Sequence, residues 1–329
     1  MKVVVTGGTG FLGLGVARAL LKRGVLAGPG GAAEPIDEMV LFDAARPATT
    51  PAGLDGRTTI IAGDIADRDR VAKLIDRDDV AVFHLASVVS AGAERDFDGA
   101  LRVNVRGTRN VLEALRARAG ARRPRLVFAS SVAVYGGVSP DAVSDATRET
   151  PATTYGMTKA IGELLVNDYA RKGFVDGRAA RLPTVIVRPG PANAAASGFA
   201  SGVFREPLAG VDYALPVAPS TRIMVIGARN AVAGLIGLIE ADGAALGGDR
   251  AVALPNRAYS VAEMIAAMEK VAAERGIRPG AVRPAPDAAV EAIVGSWPLR
   301  MDDRRARALG LAADESLEGI VRDYIEDFG

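Results

Sequence analysis

Across residues 1–190, short apolar runs alternate with segments whose apolar positions recur at helical spacing. Lys2–Thr6, β-branched apart from its lysine, reads as a strand buried on both faces of a parallel sheet. Phe11–Arg23 sets Leu12, Val16, Leu20 and Leu21 on one face of a helix. The same reading predicts strands at Met39–Phe42, Thr59–Ala62, Val80–Leu85, Arg125–Ala129 and Thr184–Val187. It predicts helices at Asp67–Asp76, Asp98–Ala119, Tyr155–Arg171 and Arg229–Glu240. Strand and helix in this alternation imply an α/β fold with a doubly wound parallel sheet.

Beyond Arg188-Pro189-Gly190 the pattern lapses. Residues 191–210 are rich in Ala, Ser, Gly and Pro with little periodicity, which suits a substrate-facing loop region. Ser260–Gly276 and Ser316–Phe328 read as helices of a smaller C-terminal part. The expected organisation is a dinucleotide-binding domain over 1–190 and a mainly substrate-binding part over 191–329, with 222–242 packing back on the first. Gly28–Pro35 reads as a loop that lengthens the first crossover, and no internal repeat is visible.

Composition narrows the chemistry more than the fold. With 49% hydrophobic and 24% charged residues and a formal net charge of +1, the chain reads as a soluble globular protein with no nucleic-acid partner. It has no cysteine, which excludes disulfides, thiolate nucleophiles and cysteine metal sites. The single histidine, His84, rules out a multi-histidine metal centre, and no metal is expected. No apolar run is long enough to span a membrane, and the opening Met-Lys-Val-Val-Val-Thr-Gly-Gly is too short for a signal-peptide core. A cytoplasmic location is expected.

Gly7, Gly10 and Gly13 stand between the first strand and the first helix. That placement is the Rossmann dinucleotide turn: one glycine for the tight bend, one for close approach of backbone N–H groups to a pyrophosphate, one for helix–strand packing. The second strand ends at Asp43, whose carboxylate can accept from ribose hydroxyls and would repel a 2′-phosphate, so NAD is expected rather than NADP. Asp64 and Ile65 follow the third strand and can hold the adenine edge. Leu85, Ala86 and Ser87 follow the fourth and pass beside the cofactor. His84 reads first as a satisfied histidine at a strand end, ahead of any proton-transfer role.

Tyr155 and Lys159 lie four apart on one helical face. A tyrosine titrates ordinarily near 10. An adjacent ammonium and a positive nicotinamide favour its phenolate, which can then take a proton from a substrate hydroxyl. Ser131, at the end of a strand, can hold the substrate oxygen.

Taken together, Thr6–Gly13, Asp64-Ile65, His84–Ala86, Asn104–Thr108, Ser130–Gly136, Tyr155–Lys159 and Arg188–Gly190 resemble the extended short-chain dehydrogenase/reductases, the sugar epimerase/dehydratase group. The resemblance covers essentially the whole chain. It implies a catalytic set of Ser131, Tyr155 and Lys159, with Asn104 supporting the active-site helix or a relay water. It also implies Phe11, Leu12 and Pro189 at the cofactor, and a homodimer formed through Asp98–Ala119 and Tyr155–Arg171. Dehydratases of the group carry an acidic pair where this chain has Val132 and Ala133, so dehydration is not expected.

Phe174–Arg178, Arg181–Thr184, Asn193–Gly202, Arg205–Leu208 and Ile293–Pro298 resemble the sugar-acid dehydrogenases within the group. That implies NAD-dependent oxidation of the C2 hydroxyl of a four-carbon sugar acid to the 2-oxo acid. Arginine is the natural partner of the substrate carboxylate. Arg205 and Arg222 are the candidates, with Asn193, Ser197 and Ser201 for hydroxyls. A nucleotide-sugar 4-epimerase is the alternative enzyme, and an NAD-sensing regulator the non-enzymatic alternative.

Overall fold

The strand Lys2–Thr6 lies between Glu38–Asp43 and Val80–His84, parallel to both. In the computed structural model, which describes residues 1–28, 31–120, 122–137, 142–190 and 196–329, these strands belong to a sheet of seven among the described residues. Named by first residue, the order across it is 251, 176, 125, 80, 2, 38, 58, every pair parallel. The chain winds outward in both directions from the seam between Lys2–Thr6 and Val80–His84. Ligands of such sheets bind at the C-terminal strand ends beside that seam. Here Thr6 pairs in register with His84, which sets the glycine turn against Leu85 and Ala86.

Apolar faces of the helices cover both sides of the sheet. Phe11–Arg23 and Ala228–Glu240 bury Val16, Leu20, Leu235 and Ile239 against one face. Gly107–Arg116 and Thr154–Arg171 bury Val111, Leu115 and Val166 against the other. A further core forms between the helices Phe199–Leu208, Val261–Glu274 and Leu317–Phe328 and a small sheet of Thr184–Ile186, Arg222–Gly227 and Arg257–Ser260.

Several expectations are corrected. Thr184–Ile186 pairs with Arg222–Gly227 in the small sheet, not in the large one. The large sheet instead takes Asp176–Leu182, a strand the hydrophobic pattern conceals because Arg178 and Arg181 sit in its middle, each only 1% exposed. Arg178 is neutralised by Asp176 and bonds the Ala241 carbonyl, while Arg181 pairs with Glu163. The single helix expected over Asp98–Ala119 is a short α-turn at Phe97–Ala100, a π-helix at Leu101–Arg106 and an α-helix at Gly107–Arg116. Phe199–Leu208, expected as open loop, is a buried helix. Ala33–Pro35, expected within the crossover loop Gly28–Pro35, is a short strand that pairs antiparallel with Val25–Ala27. After residue 190 the chain returns to the large sheet twice, through Ala228–Glu240 and through the edge strand Ala251–Ala253, because Leu235, Ile239 and Val252 complete its apolar core. Arg222–Gly227 itself stays in the small sheet.

Candidate active site

Two cavities open along the seam and share Gly7, Gly10, Leu85 and Ser87. One, of about 560 Å³, is lined by Asp43, Asp64, Ile65 and Ala86. The other, of about 370 Å³, is lined by Phe11, Leu12, Gly13, Ser131, Tyr155, Lys159, Arg188 and Ser197. The pair has the form of a dinucleotide cradle, adenosine end first.

The glycine turn shows why side chains are excluded from it. Gly7 has φ +68°, and a Cβ there would stand 2.9 Å from the Ala86 nitrogen. A Cβ on Gly13 would come within 2.2 Å of the Gly7 carbonyl oxygen. The turn, the strand ends and the start of the Phe11–Arg23 helix can touch only if both positions are bare. The Asp43 carboxylate accepts from the Thr9 backbone N–H at 3.0 Å, the Thr9 hydroxyl at 2.7 Å and the Ala44 N–H at 2.8 Å. It is thereby held at the mouth of the adenosine cavity. Asp64 accepts from the Ala66 N–H at 2.9 Å and pairs with Arg102 on the rim, and both bonds pull its carboxyl below the usual range. These residues fit NAD: a backbone cradle for the pyrophosphate and a carboxylate for the ribose diol.

At the reaction end, Thr153 caps the Thr154–Arg171 helix by accepting from the Gly156 N–H at 3.1 Å. That places Tyr155 in the first turn, at the positive end of the helix dipole. Burial pushes the Tyr155 phenol up, and the Ser131 hydroxyl, its hydrogen-bond partner, pulls it back down. Ser131 also accepts from the Ala133 N–H at 3.1 Å, which fixes its rotamer at the strand end.

Lys159 lies one turn further on, 2% exposed. Its ammonium donates to the Ala129 carbonyl at 2.7 Å and stands 5.4 Å from the centre of the Tyr155 ring. Burial draws its pKa down to about 7, opposed by the negative charge of Glu163 one turn beyond. This differs from the expectation that the ammonium acts directly on the phenol: in the chain alone, the Tyr155 shift is set by burial and Ser131. Glu163 is itself buried, bound by Arg181 at 2.7 Å and by the Ser130 hydroxyl, so Lys159 rests on a neutralised ion pair.

Asn104, in the π-helix, is fully engaged. Its amide donates to the Val88 carbonyl and the Thr158 hydroxyl, both at 3.0 Å, and accepts from the Val88 N–H at 2.8 Å. It pins the active-site helix to the loop after the fourth strand, the kind of work a π-bulge commonly does.

His84 is locked in a chain of threonines. Thr108 donates its hydroxyl proton to the Asn104 carbonyl at 2.5 Å, so its oxygen accepts from His84 Nε2–H at 2.9 Å. The Thr6 hydroxyl then donates to Nδ1 at 2.7 Å and accepts from the Ala86 N–H at 3.3 Å. With both ring nitrogens used, and burial beside Lys159 holding its pKa down to about 3, His84 is a neutral structural group.

The predicted substrate residues divide. Ser197 lines the reaction cavity. Ser201 and Arg205 do not; instead, the Ser201 hydroxyl accepts from the Arg188 N–H at 3.0 Å, and Arg205 donates to the Arg188 carbonyl at 3.1 Å while pairing with Glu206. Both are buried in the Phe199–Leu208 helix and hold the backbone of an arginine that does line the cavity. Arg222 is exposed, pairs with Glu263 at 3.2 Å and faces a different cavity. Pro189 lines a neighbouring groove between the Phe11–Arg23 and Ala228–Glu240 helices. Asn193 lies outside the described residues. The residue that sequence reasoning missed is Arg188, although it heads the Arg-Pro-Gly motif. Burial and the positive charge of Arg205 lower its pKa.

Comparison with known proteins bears on this geometry. Residues 3–216 match the NAD dependent epimerase/dehydratase family. The chain belongs to that family. This family member is 47% identical to a D-erythronate dehydrogenase of Cupriavidus necator, over 100% of this chain and 99% of the relative. It is 36% identical to a D-erythronate dehydrogenase of Haemophilus influenzae, over 99% of each. Among solved structures, one described as a nucleoside-diphosphate-sugar epimerase of Agrobacterium tumefaciens superposes with a TM-score of 0.90 at 38% identity, over 100% of this chain and 94% of that one. The epimerase/dehydratase fold is therefore shared along the full length. Among the described residues, no group of side chains could hold a metal ion and no helix is long and apolar enough to cross a membrane.

Proposed function

We propose that this chain is an NAD-dependent dehydrogenase that oxidises the C2 hydroxyl of a short sugar acid, D-erythronate, to the 2-oxo acid. The observation that carries the reading is the reaction cavity. Ser131, Tyr155 and Lys159 line it together with the glycine turn, and Arg188 is the one arginine it contains among the described residues. The name shared by two relatives at 47% and 36% identity supports the substrate.

Ser131 holds the substrate oxygen and Tyr155 takes the hydroxyl proton as the C2–H bond breaks. The first-turn position and the Ser131 bond oppose the cost of making phenolate in a buried site. Lys159 completes the wall and carries, through Ala129, the strand that presents Ser131. Arg188, fixed at both its N–H and its carbonyl, pairs with the carboxylate and so selects which carbon faces the phenol. When bound, oxidised NAD supplies the hydride acceptor and a positive charge that favours the phenolate. Asn104 and His84 keep the seam rigid from beneath. Exposed Leu164 on the active-site helix and Phe97 beside the π-helix, 67% and 53% exposed, support the homodimer, and a cytoplasmic location belongs to the same proposal.

The solved relative described as a nucleotide-sugar epimerase keeps a second reading in view. The deciding experiment supplies purified enzyme and NAD with four- to six-carbon aldonates, and separately with UDP-glucose and UDP-galactose. NADH appearing with D-erythronate is the expected result. Interconversion of the nucleotide sugars with no NADH from any acid would replace the dehydrogenase reading by the epimerase one.

A further inference from the structure

Next to the reaction cavity lies a second one of about 320 Å³, lined by Thr221, Arg222, Glu291 and Ser296 among others. Trp297 lines both, and no other described residue does. Its backbone N–H donates to the Val294 carbonyl at 3.1 Å, and its side chain packs on the C-terminal core, so its position is set by the fold rather than by a ligand. The reaction cavity, at about 370 Å³, sits at the small end of ligand sites, which run from roughly 300 to 1,000 Å³. It has to take the nicotinamide end of the cofactor as well as the substrate. Little of it remains for carbons far from the reacting centre.

We infer that Trp297 is the partition that sets the upper chain length of the substrate, and that the cavity behind it is a latent subsite for the distal hydroxyls of longer aldonates. The inference rests on the sugar-acid reading. The chemistry of the second cavity suits polyols: Thr221 and Ser296 offer hydroxyls, Glu291 accepts and Arg222 donates. An indole ring between the reaction cavity and the polar cavity behind it makes passage of a hydroxylated chain sterically and energetically unfavourable. Arg222, predicted for the carboxylate, then belongs to the far end of a longer acid rather than to the reacting end.

The test measures kcat/KM for D-erythronate and for six-carbon aldonates in the wild type, Trp297→Ala and Trp297→Leu, with NAD-induced thermal stabilisation reporting that each variant is folded. The wild type should prefer the four-carbon acid. Trp297→Ala should raise the six-carbon to four-carbon ratio by at least about tenfold, within the range that a filled or emptied pocket position commands. Trp297→Leu should raise it less, and it serves if the alanine variant does not fold. An unchanged ratio in a folded, NAD-binding variant overturns the partition while leaving the dehydrogenase intact. A wild type that oxidises no acid defeats the sugar-acid reading first, and the partition with it.

Discussion

The cofactor half and the substrate half of the crevice are built in different ways. The cofactor half is made mostly of backbone: bare glycines at Gly7 and Gly13, strand ends in register, and one carboxylate held by the turn it faces. The substrate half is made of side chains from distant segments, with Arg188 fixed by Ser201 and Arg205 and with Trp297 and Ile293 brought in from the C-terminal part. Backbone construction ties dinucleotide binding to the fold itself. Side-chain construction leaves the choice of substrate free to change without disturbing the sheet.

If this division is real, mutations should separate cleanly. Tyr155→Phe should lower kcat with D-erythronate by about 10²- to 10⁴-fold, the usual worth of a positioned acid–base group, with NAD affinity by fluorescence titration nearly unchanged. Retained turnover would remove Tyr155 from the mechanism. Arg188→Ala loses charged hydrogen bonds worth about 1.5–3 kcal/mol, so KM for the acid should rise by roughly 10- to 150-fold. An equal loss of NAD affinity would break the division. Asp43→Ala should do the reverse, weakening NAD by about tenfold and narrowing the preference over NADP while sparing KM for the acid.

Two buried bases sharpen the picture between the halves. Lys159 is held near 7 against 10.5 for the ordinary group, so between those values the unfolded chain binds a proton that the folded chain does not. Raising the pH through that window removes an advantage of the unfolded state, and stability rises. Thermal denaturation from pH 7 to 10 should show this increment in the wild type and not in Lys159→Met. A pH-independent difference would mean that the lysine keeps its proton in the fold. The smallest effect is expected at His84: with its pKa near 3 and both nitrogens committed, His84→Gln should leave the shape of the pH–rate profile between pH 6 and 9 unchanged.

The same division governs what the sequence discloses. The glycine turn, Asp43 at a strand end and the Tyr155–Lys159 pair on one helical face each carry a local signature, and their order along the chain singles them out. Arg188 heads a visible motif, but nothing local says that its side chain reaches the cavity. Ser201 and Arg205 lie in the right neighbourhood and act one step back, because a segment rich in small residues folds as a buried helix instead of an open loop. Asp176–Leu182 escapes notice for another reason: hydrophobic periodicity assumes that charges point outward, and Arg178 and Arg181 are buried, held by Asp176 of their own strand and by Glu163 and the Ala241 carbonyl, which only the fold supplies.

Those two arginines also bear on how strands of this sheet pair. Lys2–Thr6 and Val80–His84 are apolar, β-prone stretches of the kind that pair indiscriminately between nascent chains. Asp176–Leu182 enters the same sheet carrying Arg178 and Arg181 against one acid of its own, Asp176, and Arg181 meets its counter-ion only when Glu163 of the helix Thr154–Arg171 packs on it. Charge inside a strand disfavours its pairing with apolar strands in general, and here the helix Thr154–Arg171 supplies the carboxylate that receives Arg181. The ion pair one helical turn beyond Lys159 is thus also what lets a charged strand enter an otherwise apolar sheet.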